Sequence, residues 1–183
     1  MTPFTVLSAS MLQLALAATF VVIPAVGRRC GPYAQWAAES EVARQKVPAA
    51  VLAEHRINFG ASRTSVVVAV SIGLCLAALA SLNLAGNQGG RIVSWIFLPI
   101  VFILGCIIMP GEVFPTWYIE SAFKKTGDPV LVSLNVKAFV DAAVGVYPAW
   151  FPWVTAARLL LATLGSLLAS FLLAMPSANV YFG

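Results

Sequence analysis

Glu54, His55 and Asn58 stand close together in the chain, while Glu112, Tyr118 and Arg158 lie at the ends of apolar stretches further along. Carboxylates, imidazoles and phenols are the usual groups for moving a proton, and an arginine holds a carboxylate or an oxyanion. Gathered at one place, the six would form a polar mouth able to act on a hydrophobic substrate. His55 is the only histidine, and one imidazole beside one carboxylate falls short of a metal site or of two haem ligands. Cys30, Cys75 and Cys106 form no CxxC pair and leave an odd count, which speaks against zinc and against a disulfide framework. The chain has no phosphate-cradling glycine loop after a strand, no nucleophile elbow, no HExxH and no Glu-x-x-His pair. Which cofactor, if any, the chain uses is left open by the sequence.

The elements that must position these groups follow from composition. Of 183 residues, 60% are hydrophobic and 10% charged, with mean hydropathy +0.90. Soluble domains carry ~25% charged residues, so the chain reads as one all-α integral membrane domain. Four apolar stretches, 4–26, 65–84, 92–109 and 154–175, suit a ~30 Å hydrocarbon core and predict four transmembrane helices in an antiparallel bundle. The first reads as a retained helix, because no basic segment precedes it and Arg28 and Arg29 follow it. Gln13, its most polar group, is placed for an interhelical hydrogen bond. Trp95 reads as an interface anchor of the third span and Pro99 as a kink.

The second span has a polar lead-in. Pro48 suits a first helical turn, so the spacing predicts one long helix from Pro48 to Leu84 that starts in water and enters lipid. Glu54, Asn58, Ser62 and Ser65 would form a stripe on it that Asn83 rejoins, while Arg56 and Arg63 snorkel to headgroups. In the connection 27–64, Gly31 and Pro32 break the chain, and Ala34–Lys46 forms a short helix with Glu41 a turn from Arg44 or Lys46. In the connection 110–153, Pro110, Gly111 and Glu112 end the third span, and Phe114, Trp117 and Tyr118 sit at headgroup level. Asp128 caps an amphipathic helix running from Pro129 to Tyr147. Its apolar face carries Val132, Val136, Phe139, Ala143 and Val146, opposite Ser133, Lys137 and Asp141; Asn135 within that face marks a contact with another helix. An aromatic belt from Tyr147 to Trp153 leads into the fourth span, and the tail after Pro176, including 179–183, has no fold signal.

Arg28, Arg29, Arg44, Lys46, Arg56, Arg63, Lys124, Lys125 and Lys137 fall in those two connections, and Arg91 alone lies opposite. The positive-inside rule makes both connections cytoplasmic and places both termini outside, in a bacterial inner membrane. The net charge of +4 then faces anionic lipid, and nucleic acid is not an expected partner. Glu112 and Arg158, both near the cytoplasmic boundary, are expected to pair, with Tyr118 or Asn58 nearby; the alternative is that Arg158 reaches lipid phosphate alone while Glu112 faces water.

This layout resembles that of membrane-associated glutathione and eicosanoid enzymes, which have four helices, external termini and a basic first cytoplasmic connection. The resemblance is one of topology. Those enzymes carry an Arg-x-x-x-Asn-x-x-Glu pattern entering the second helix; here Arg56 precedes Asn58 by two, and Ala61 stands three after Asn58. The first span also lacks the carboxylate of four-helix multidrug carriers. The leading reading is a non-catalytic accessory or subunit-type protein, docking a partner or lipid through its cytoplasmic helices in a larger membrane complex or homo-oligomer. The alternatives are an enzyme acting on a hydrophobic substrate at the polar mouth, and a small-molecule transporter.

Overall fold

From Phe4 the chain stays helical for 41 residues, to Arg44 (α1), in the computed structural model, which describes residues 2–183. The expected break at Gly31 and Pro32 does not occur. Pro32 removes one i→i−4 bond, to Arg28, on an exposed turn, and Ala34, Ala38 and Val42 beyond it are fully buried against other elements. Continuing the helix is what buries them. Val47 N–H then bonds back to the Val42 carbonyl at 3.3 Å, with Lys46 in the left-handed region (φ 62°), and α1 ends.

The long helix expected from Pro48 is two pieces. α2 (Ala50–Glu54) closes the same way, with Ile57 N–H on the Leu52 carbonyl at 2.8 Å and Arg56 left-handed (φ 56°). The next helix, α3 (Arg63–Leu84), starts afresh, capped by Ser62, whose side chain accepts from Ser65 N–H. The predicted stripe of Asn58, Ser62 and Ser65 is therefore a turn and a cap. It is α1 that passes unbroken from the apolar region into the polar one.

Four helical stretches are long and apolar enough to cross a membrane: α1, α3, α4 (Gln88–Val113), and a composite of α8 (Phe151–Leu160), a π-turn (Leu161–Gly165) and α9 (Ser166–Ala174). α4 runs past Pro110, Gly111 and Glu112 before Phe114 ends it. α1 and α3 pack with residue numbers running in opposite senses: Gln13 meets Asn83, Ala17 and Phe20 meet Gly73, and Gly27 meets Ala61. Gly73 is needed there, because a Cβ would stand 3.0 Å from the Ala17 carbonyl oxygen. The π-turn lies where Ala162 meets Gly105 of α4, and its extra residue keeps Arg158, Ala162, Gly165, Ser166 and Ala169 all buried.

The molecule has two apolar cores. The first lies among α1, α3, α4 and α9 and includes Leu16, Phe20, Leu76, Leu98 and Leu173. The second gathers Ala34, Ala38 and Val42 of α1 with Leu52, α5 (Pro115–Thr126), α6 (Pro129–Ser133) and α7 (Val136–Val144). We call this second unit the cap. The single helix expected from 129 to 147 is split at Leu134, because Asn135 caps α7 by accepting from Ala138 N–H at 3.1 Å. Asn135 also makes the helix contact expected of it: its N–H donates to Gln45 Oε1 (2.8 Å) and its carbonyl accepts from Gln45 Nε2 (3.3 Å), beside the end of α1. The tail is ordered as α10 (Pro176–Phe182), with Ala178 and Phe182 buried in the first core.

Candidate functional site

The six polar residues singled out from the sequence occupy three neighbourhoods. Glu112 and Arg158 form an ion pair, at the end of α4 and in α8 respectively. The arginine side chain is 6% exposed and the glutamate 44%, so a buried cation is held by a half-exposed carboxylate. The Arg158 guanidinium lies 5.7 Å from the Phe20 ring, and its Nε has no hydrogen-bond partner among the described residues. Tyr118 packs beside Gly111, next to the glutamate, with its ring exposed. These three are the part of the expected mouth that comes together.

Glu54 and His55 lie in the cap, both exposed, with the imidazole edge-on to Phe123 at 5.6 Å. Asn58 belongs to neither group. Its Oδ1 accepts from Gly60 N–H at 2.6 Å, forming a turn that faces α1 near Gly31 and Gln35. Phe59 beside it is held on both sides: its N–H donates to Gln35 Oε1 (3.1 Å) and its carbonyl accepts from the Tyr147 hydroxyl. Burial, and secondarily the Cys30 thiol, raises the Tyr147 phenol above its ordinary 10.0.

Two further polar sites emerge from the packing. Asn83 Nδ2 donates to Gln13 Oε1 (3.1 Å) and Ser94 Oγ (2.9 Å), and Gln13 Nε2 donates to the same hydroxyl (3.2 Å). The three side chains join α1, α3 and α4 and are completely or almost completely buried. Gln13 was legible as an interhelical donor; Ser94 as its partner was not, since serine is common in membrane helices and signals little. At the same end of the bundle, Arg91 Nε donates to the Leu173 carbonyl at 3.0 Å and the guanidinium also bonds Asn179. Its guanidinium carbon lies 4.6 Å from the Trp95 ring and 5.3 Å from that of Phe182. The isolation of Arg91 on the side poor in basic residues was the sequence signal for this clasp on the tail.

No family model matches the chain, and no curated protein and no solved structure matches it either. Among the described residues, no three His, Cys, Asp or Glu side chains converge as a metal site requires.

Proposed function

We propose that this chain is a non-catalytic accessory or subunit-type protein of a bacterial inner membrane. In this reading its four apolar helices form an antiparallel bundle, and its cap is a cytoplasmic docking module. One observation carries it: α1 gives its first part, as far as Phe20, to the bundle core and its last part, from Ala34, to the cap core. A folded unit held on the extension of a membrane helix is suited to presenting a surface at a fixed height above the bilayer. The groups an enzyme would need in one place are instead divided between the α4–α8 boundary, the cap and the turn at Asn58. The basic connections support the cytoplasmic assignment. Tyr33, Trp36, Trp117, Trp150 and Trp153 are exposed around the junction of bundle and cap, as an interfacial belt would be. With Val136, Phe139 and Ala143 buried in its own core, the cap offers a partner its polar outer side, including exposed Lys124, Lys125 and Lys137.

The test is purification of the full chain in mild detergent, beside a Lys124→Glu/Lys125→Glu variant, with co-purifying proteins and lipids identified. A stoichiometric protein partner lost from the variant is expected. A chain that purifies alone and chemically converts a co-purified lipid would overturn the reading in favour of an enzyme. Orientation is tested separately: Cys30 should react with a membrane-impermeant thiol reagent only after the membrane is opened. Labelling in intact cells would invert the assignment.

A further inference from the structure

An open cleft of ≈ 460 Å³ lies between α1 and the start of α3, with Gly27, Arg28, Gln35, Asn58, Ser62 and Arg63 among its lining residues. Its floor is a contact of two glycines: a Cβ on Gly31 would stand 2.4 Å from the Gly60 Cα, so the helix can carry no side chain there. Above that floor two arginines from different elements flank one space. Both are exposed, and neither takes part in an ion pair among the described residues. No carboxylate lines the cleft. The amide oxygens of Gln35 and Asn58 are already occupied, by Phe59 N–H and Gly60 N–H, which leaves the Asn58 amide nitrogen as a donor. The two guanidiniums and this amide nitrogen are the donors the cleft offers, the complement of an anion with several acceptor oxygens.

Depth decides which anion. The apolar stretch of α1 ends at Val26 and that of α3 begins at Ser65, so Arg28 and Arg63 stand where hydrocarbon gives way to headgroups. We infer that this cleft is a phosphate-group site that takes the headgroup of an anionic phospholipid from the adjoining leaflet. The inference is independent of the cap's docking role and of which leaflet is cytoplasmic.

The experiment is native mass spectrometry of the full chain, stripped of lipid in detergent and offered equimolar phosphatidylglycerol and phosphatidylcholine. Preferential retention of phosphatidylglycerol is expected. A near-surface arginine contributes about fivefold to anionic-lipid affinity, so Arg28→Gln/Arg63→Gln should lower it about 30-fold. Arg29→Gln, adjacent in sequence but not lining the cleft, should lower it by less than either single cleft variant does. If the double variant does not fold, the two single variants carry the test, each with about a fivefold loss. A phosphatidylglycerol adduct that survives excess inorganic phosphate assigns the site to lipid. Displacement by inorganic phosphate, together with a melting temperature that phosphate raises only while Arg28 and Arg63 are present, overturns the lipid assignment and makes the ligand a free phosphate. Unchanged phosphatidylglycerol retention by the Gln variants, or an equal loss in Arg29→Gln, overturns the site altogether.

Discussion

Phe139→Ala separates the two cores. Phe139 is 0% exposed, and its ring meets that of Phe59 edge-on at a centroid distance of 6.4 Å. Truncating a buried phenylalanine removes transfer energy and leaves a cavity, together about 3–5 kcal/mol. An aromatic pair adds ~0.5–1.5 kcal/mol beyond its area, and Phe59 cannot collapse into the hole freely, because Gln35 and Tyr147 hold its backbone. Among the described residues the cap core has twelve buried members, three of them alanine. A loss of about 3–5 kcal/mol is comparable with the opening free energy of so small a unit. The cap should therefore open locally, while the bundle core, which shares no residue with it, stays closed. Hydrogen exchange on the full chain in lipid nanodiscs reads this directly. Protection should fall sharply over 115–144 and in α1 beyond Ala34, with α3 and α4 unchanged. Loss of protection throughout would mean one cooperative unit, and no loss anywhere would mean that Phe139 is not a core residue; either result refutes the two-core account.

Glu112→Arg should lower stability by about 1–2 kcal/mol, less than the ~3–5 of a fully buried broken pair because Glu112 is 44% exposed. Arg158→Glu added to it should restore part of that loss in a detergent melt, and a double variant no better than the single would mean the two charges are uncoupled. Asn83→Leu removes two interhelical hydrogen bonds and should cost about 1–2 kcal/mol, measured by unfolding in mixed micelles; an unchanged midpoint would mean that the Gln13–Asn83–Ser94 contact adds nothing. The raised Tyr147 phenol gives a pH signature. Its contribution is fully present below 10.0, where the unfolded phenol ionises, and is lost as pH rises through the higher folded value. Tyr147→Phe should flatten that alkaline loss, and an identical pH profile in the variant would show that the hydroxyl is not responsible.

The apolar stretches were readable because twenty or so uninterrupted apolar residues admit few solutions in lipid. Helix ends were not. α2 terminates on a left-handed residue that is not glycine, Arg56, so the usual marker of that turn was missing and the chain read as continuous at Pro48–Leu84. Gly31 and Pro32 misled in the opposite sense. They carry the standard break signal, yet burial of Ala34, Ala38 and Val42 outweighs one lost hydrogen bond. The pairing of Glu112 with Arg158 was legible because two charges at one boundary have few other ways to be satisfied. The cleft beside Asn58 was not, since it depends on α1 reaching Gln35 without a break and on the contact of Gly31 with Gly60.

An unbroken α1 also ties the cap to the bilayer's own mechanics. The helix runs ~27 Å from Val26 to Arg44, so a change in tilt of ~10° would carry its far end sideways by ~5 Å. Helices answer a thinner or thicker hydrocarbon layer by tilting. Because Gln45 and Asn135 fasten that far end to α7, the cap would swing with the helix instead of trailing on a linker. The direction in which the cap's polar side faces would thereby follow the thickness of a bilayer spanned by the apolar part of α1.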